Sequence, residues 1–396
     1  MELRNLPFVP ADILLPRGDF EKWACVACDQ FTSEPEYWLE AERFVGDAPS
    51  ALKCILPEVW LGKDDDKRIA AVNAEMEKYL RDGIFAEYPG SMIYVERTLP
   101  DGGVRRGVVG AVDLEEYDFS AGSRSPVRAT EATVLSRIPP RVAIRRDAPI
   151  ELPHIMLLAD DPADSVIGQF EAEKEKLPLL YDFDLMQGGG HISGRLLDGE
   201  AAGRVVRALS ALAEKLPDGG ILIAVGDGNH SLATAKECCR LNPVPRNRYA
   251  IAELVNLHDP SLVFEPIYRV VFNCDPAALV AKAEKELSPG KNAIEWRSAS
   301  GEGRLSTGGL PADTLQRVID DYVAATPGAY CDYVHGEESA RSLGKGAGAV
   351  AFLFDGMDKN ELFPYVQNVG PLPRKTFSMG EAKSKRYYVE ARRINA

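Results

Sequence analysis

Residues 221–241 read ILIAVGDGNHSLATAKECCRL, and their change of character partway decides the fold class. The five apolar residues Ile221 to Val225 suit a buried strand. Gly226-Asp227-Gly228-Asn229-His230-Ser231 breaks that run. Leu232, Ala235 and Cys239 then fall at helical spacing. A strand, a tight polar turn and a helix start leave backbone N–H groups bare, a layout that attracts anions. Gly226 and Gly228 let the backbone turn sharply and approach a ligand closely. Asp227, His230 and Ser231 add a carboxylate, an imidazole and a hydroxyl to the turn. A competing reading is that Asp227 or Ser231 does no more than cap the helix, a common use of these residue types.

Upstream, Arg204 to Leu216 carries Val205, Leu209, Leu212 and Leu216 on one helical face, and Pro217-Asp218-Gly219-Gly220 stops it. Periodicity predicts further helices over 34–44, 67–85, 277–287, 312–325 and 361–368. It predicts strands over 92–96, 108–114, 155–159, 249–257, 268–272, 330–334, 349–355 and 387–391. Strands and helices are interspersed without strict alternation. The expected class is therefore α+β or mixed α/β, with large mixed sheets flanked by helices and the strand–turn–helix anion-binding element at 221–241. At 396 residues the chain should form two or three units. The expected division is an N-terminal α/β lobe over 1–150 and a C-terminal lobe over 151–396 carrying the turn, with one integrated unit as the alternative.

A 45% hydrophobic and 27% charged composition is that of an ordinary globular protein with enough chain for a large core. The formal net charge of −14 argues against a nucleic-acid or acidic-membrane surface. No run of 18 apolar residues is present, and the N-terminus lacks an apolar signal core, so a cytoplasmic protein with no membrane partner is expected. Seven cysteines, an odd number, do not suggest a disulfide framework. Cys25 and Cys28 form a lone C-x-x-C with neither a second pair for zinc nor a thioredoxin-like context, so buried or incidental thiols are expected.

Within this acidic chain, Arg124, Arg128, Arg137, Arg141, Arg145 and Arg146 face only Glu131 and Asp147. The segment is either a solvated face paired with acids or an anion site suited to arginine's fork. Gly188-Gly189-Gly190, before His191-Ile192-Ser193-Gly194, could wrap a phosphate, but it is neither G-x-G-x-x-G nor a Walker loop. Asp182-Phe183-Asp184 mimics the D-x-D of haloacid-dehalogenase-type phosphatases, although Met186 stands where that family wants Thr or Val; a turn-capping pair is the better reading. Arg374-Lys375-Thr376-Phe377-Ser378 joins two cations to two hydroxyls and is either a phosphate-holding loop or a plain basic surface loop. No metal-spaced Cys/His set is visible.

The blocks Trp23 to Trp38, Arg128-Ala129-Thr130-Glu131, Gly226 to Ala235 and Pro373 to Gly380 together resemble the family labelled domain of unknown function 1015, over nearly the whole chain. Many members read Asp-Gly-His-His-Arg at the central turn. Here it is Asp227-Gly228-Asn229-His230-Ser231, so Ser231 and the helix start, or another arginine, must do what that Arg does. Where many members have a His-Arg pair, this chain has Tyr268-Arg269. The turn is also similar to the phosphate-binding turn of the ParB/sulfiredoxin superfamily, which includes a free-serine kinase. An association of the family with serine-biosynthesis enzymes implies a small phosphorylated hydroxy acid or amino acid as ligand.

The expectation is an enzyme that binds or transfers a phosphate on a small metabolite such as phosphoserine or serine, as a nucleotide-dependent kinase or a phosphatase. The alternative is a non-catalytic sensor of a phosphometabolite or nucleotide. His230, Asp227 and Glu131 are the catalytic candidates. Gly228, Asn229, Ser231, Arg128, Arg374 and Lys375 are the anion-binding ones, and Gly188, Gly189 and Gly190 form the glycine-rich loop. A nucleotide and a divalent metal are the cofactors such chemistry would call on.

Overall fold

The computed structural model describes residues 6–132 and 138–395. Arg137 of the basic segment lies outside them. The described chain divides into two compact units. The first holds residues up to Leu262 with Val366–Gly370 and the tail from Gly380; the second holds Val263–Tyr365 with Pro371–Met379. Residue 150 falls inside the first unit, whose one large sheet takes strands from both sides of that position.

That sheet has eleven strands, parallel and antiparallel pairs mixed. Its main path runs Leu179–Asp184, His191–Leu197, Phe85–Thr98, Val104–Asp113, Tyr249–Asn256, Met156–Ala159, Ile223–Asp227, Val127–Ala129 and Tyr117–Asp118. The class is α+β. Because strand side chains alternate between faces, the sheet separates two apolar layers. On one side, Tyr94, Val108 and Leu254 pack with Val205 and Leu209 of the Gly199–Glu214 helix and Leu232 of the Asn229–Leu241 helix. On the other, Ile93, Val109 and Ile251 pack with Trp38, Val72, Met76 and the tail residues Tyr387 and Tyr388. Fully burying large apolar side chains of this kind stabilises by roughly 1.5–3 kcal/mol each.

The tail is sewn back into this second layer. Tyr387–Tyr388 pairs with Cys25–Val26, and Arg392–Arg393 pairs with Ile150–Glu151. The strand expected over 387–391 is therefore only two residues long.

The second unit has a five-stranded antiparallel sheet in the order Gly301–Thr307, Asn292–Ser298, Val350–Phe354, Tyr268–Phe272 and Tyr330–Val334. Helices Pro276–Glu286 and Pro311–Ala325 cover the face bearing Val271 and Phe352. Ala340 of the Glu337–Gly344 helix packs on the opposite face with Val270 and Ala351.

Candidate functional site

The strand expected over 221–225 runs from Ile223 to Asp227, and the helix starts at Asn229. Gly228 joins them in the left-handed region, at φ +78°. A Cβ there would stand 3.0 Å from the Ile155 Cα, so both the backbone angle and the packing call for glycine. No side chain caps the helix; its first intrahelical bond runs from Leu232 N–H to the Gly228 carbonyl. Asp227 Oδ1 instead accepts from the Gly228 N–H at 2.9 Å, and capping is not its role.

Asn229 is 6% exposed and pins a second motif to the turn. Its Oδ1 accepts from the Thr130 N–H at 3.2 Å, and its Nδ2 donates to the Val225 carbonyl at 3.3 Å. The Thr130 hydroxyl donates to that same carbonyl at 2.6 Å. Glu131, the residue after Thr130, is thereby drawn to the turn. His230 and Ser231 are half-buried on the first helical turn. Among the described residues the Ser231 hydroxyl has no hydrogen-bond partner.

Arg128 is placed differently. It lies opposite Ala224 on the neighbouring parallel strand, and its guanidinium donates to the carbonyls of Ser125 and Gly219. Those groups stand at the start of the Ile223–Asp227 strand, whereas the turn is at its end. Burial lowers the Arg128 pKa. Arg374 and Lys375 belong to the second unit.

A cation beside the turn comes from the tail, which sequence reasoning did not single out. Lys385 Nζ stands 3.2 Å from Asp227 Oδ2. The same ammonium helps to hold the Asp29 carboxyl below its usual range: burial pushes that group up, while His154, the Gln30 amide and Lys385 outweigh it. Gln30 Nε2 donates to Asp29 Oδ1 at 2.9 Å. The Tyr388 hydroxyl accepts from the Cys28 N–H at 3.1 Å and lies 2.7 Å from His154 Nδ1. Burial pushes the Tyr388 phenol well up, so it keeps its proton.

Three buried arginines fix the backbone on either side of Lys385. Arg97 donates to the Lys383 carbonyl at 2.9 Å, and Arg105 donates to the Ser384 carbonyl at 3.0 Å. Arg386 pairs with Glu390 at 2.7 Å and with Glu253 at 3.2 Å. Arg97 has no carboxylate partner among the described residues, and burial lowers its pKa to about 9.

The glycine-rich loop is a hairpin turn between Leu179–Asp184 and His191–Leu197. Gly188 and Gly190 have positive φ, and a Cβ on Gly190 would collide with the Thr98 carbonyl. A Cβ on Gly189 would collide with Tyr387. These glycines permit close packing of protein on protein. Asp182 and Asp184 hold the two ring nitrogens of His191, at 2.5 and 2.7 Å, on the exposed hairpin.

A cavity of about 830 Å³ opens along the later half of the Asn229–Leu241 helix, lined by Leu114, Phe119, Ile138, Val142, Lys236 and Arg240 among others. None of its lining residues belongs to the 226–231 turn. Its rim charges are engaged, Arg240 with Glu237 and Arg146 with Asp147. Among the described residues, no group of three or more His, Cys, Asp or Glu is placed to hold a metal, and no helix is long and apolar enough to cross a membrane.

All seven cysteines have raised pKa values, with burial the largest cause. Cys28 is pushed up to about 12. Thiolate is the reactive form, so these shifts disfavour thiol reactivity in the folded protein. Ellman's reagent at pH 8 is expected to label Cys25 and Cys28 only after denaturant is added. Rapid labelling of either in the native protein would restore the dithiol reading.

No curated protein matches the chain. Among solved structures it is similar to a free serine kinase variant in complex with AMP, at 12% identity and a TM-score of 0.40, over 68% of this chain and 93% of that one. It is also similar to a conserved hypothetical protein from Pyrococcus furiosus, at 13% identity and a TM-score of 0.36, over 66% and 90% of the two chains. SbnI from Staphylococcus aureus with a C-terminal truncation gives 10% identity and a TM-score of 0.38, over 71% and 85%. A family model described as protein of unknown function DUF1015 matches residues 10–392, and the chain belongs to that family.

Proposed function

We propose that the Gly226–Ser231 turn and Lys385 form a site for the phosphate of a small metabolite or nucleotide, and that the protein transfers or removes that phosphate. The observation that carries this reading is the Asp227–Lys385 pair at 3.2 Å, set beside a helix start that no side chain caps. Backbone N–H groups of the first helical turn and the Ser231 hydroxyl would hold phosphate oxygens, while Lys385 neutralises their charge. Lys385 takes the place first expected for Arg128, whose guanidinium is engaged elsewhere. Asp227, Glu131 and His230 are the acid–base candidates, and serine or phosphoserine with a nucleotide is the substrate pair the reading favours. It assigns no metal ligand.

The test is thermal unfolding with ATP, ADP, phosphoserine and inorganic phosphate added one at a time, followed by a phosphate-release assay. A ligand present at 100 times its Kd should stabilise by about 2.7 kcal/mol. Stabilisation with turnover supports the enzyme, and stabilisation without turnover supports a sensor. If none of the four shifts the transition, the reading fails. His230→Ala should cost about 100-fold or more in turnover, as loss of an acid–base group does, with the melting curve unchanged.

A further inference from the structure

The second unit contains two arginines that share one aromatic ring and lack an acid between them. Arg269 lies on the Tyr268–Phe272 strand directly opposite Tyr333 on the neighbouring strand. It is 0% exposed. Its guanidinium carbon sits 4.7 Å from the centre of the Tyr333 ring and 5.8 Å from that of Phe354. Nε donates to Gln316 Oε1 at 2.6 Å, and Nη1 donates to the Ile267 carbonyl. Nη2 is buried with no partner among the described residues. The guanidinium of Arg374 sits 5.2 Å from the same Tyr333 ring. Arg374 is exposed, and among the described residues it makes neither a hydrogen bond nor an ion pair. The Thr376 hydroxyl fixes the turn that carries it, donating to the Pro373 carbonyl at 2.7 Å.

Neither arginine touches a carboxylate among the described residues. The nearest compensation runs through Gln316, whose Nε2 donates to the exposed Asp320 at 2.8 Å. A ring face supplies only about 0.5–2 kcal/mol to a cation. A buried cation without a counter-ion is costly, and a second positive charge nearby adds to the cost. Arg374 is among the groups that lower the Arg269 pKa, after burial as the main cause. What would relieve this arrangement is a negative group with paired oxygens, the shape that matches a guanidinium fork.

We propose that Arg269 and Arg374 form an oxyanion-binding site at Tyr333, taking the phosphate or carboxylate of a small ligand. Entry is from the Arg374 side, the exposed one. Arg269 supplies the buried charge and Arg374 the exposed one. This site is independent of the 226–231 turn, and either could fail without the other.

The test follows the Arg269 Nε–H resonance by NMR on the full-length protein, titrated with inorganic phosphate and, separately, with succinate. Loss of one peak in Arg269→Lys identifies it; if that variant does not fold, direct sequential assignment does. The expected result is a saturable shift with at least one of the two probes. Phosphate alone marks a phosphate site, succinate alone a carboxylate site, and both a general oxyanion site. Arg374→Gln, at an exposed position, should keep the fold and weaken the binding about tenfold or more, the loss of one charge-assisted bond. Lys385→Met should leave the titration unchanged. A resonance that moves with neither probe, or moves equally in Arg374→Gln, would overturn the proposal.

Discussion

Lys385→Met is expected to weaken binding of ATP or phosphoserine by about 10- to 100-fold, the loss of one charged hydrogen bond of about 1.5–3 kcal/mol. The fold should survive. Lys385 and Asp227 side chains are 12% and 28% exposed, so the pair is partly screened and its loss should cost less than that of a fully buried one. Asp227→Asn makes the informative partner. It removes a carboxylate that repels phosphate and takes one acidic partner from the Lys385 ammonium, so binding should hold or tighten. If Asp227 is a base, turnover should fall at the same time. Opposite effects of the two variants on affinity, measured by calorimetry, would be hard to obtain from a merely structural ion pair. If both variants weaken binding equally and both lower the melting temperature, the pair is a structural clasp and the phosphate site lies elsewhere.

The turn is legible in the sequence because the pattern there switches within six residues from an apolar run through glycines to helical spacing. Strong periodicity also serves elsewhere: the helix expected over 67–85 runs from Asp65 to Arg81 and buries Val72 and Met76. The hairpin Asn292–Ser298 with Gly301–Thr307 escapes notice because it forms the edge of its sheet. Only Ile294, Ser298, Leu305 and Thr307 of its residues are buried, too few to show alternation. The glycines at 188–190 read as a ligand loop because sequence cannot tell close approach to a ligand from close approach to Thr98 and Tyr387. Asp29 stands beside Gln30, Lys385 lies between Ser384 and Arg386, and His154 stands alone between Pro153 and Ile155, so no local pattern joins them. What unites them is tertiary: Cys28 and Tyr388, which flank the cluster, are 360 residues apart. The blocks at 23–38 and 128–131 do mark chain near the turn, but neither contains Lys385.

The same return of the tail makes Glu151→Gln the most destabilising change we foresee. Glu151 is 6% exposed and receives Arg392 Nε at 2.6 Å, Arg145 Nη2 at 2.5 Å and the Ile251 N–H at 3.1 Å. Burial pushes its carboxyl up, but Arg145, Arg392 and the Ile251 N–H outweigh burial and hold it below the usual range. Removing the charge leaves two largely buried guanidiniums facing a neutral amide, a loss of about 3–5 kcal/mol at neutral pH. It also loosens the Arg392–Arg393 strand that ties the tail to Ile150–Glu151. The sign with pH follows from the direction of the shift. A carboxyl whose pKa is lower in the folded state contributes stability above its unfolded value, about 4.3 for Glu, and loses it as pH falls through the folded value. Urea unfolding of wild type and Glu151→Gln should therefore differ most at neutral pH and converge in acid. Asp29, depressed in the same direction, leaves both proteins some residual acid sensitivity. A gap under about 1 kcal/mol at pH 7, where an exposed pair would fall, or a gap that does not shrink in acid, would mean that Glu151 does not hold the tail by charge. Lys385 would then owe its place to Arg97, Arg105 and Arg386 alone.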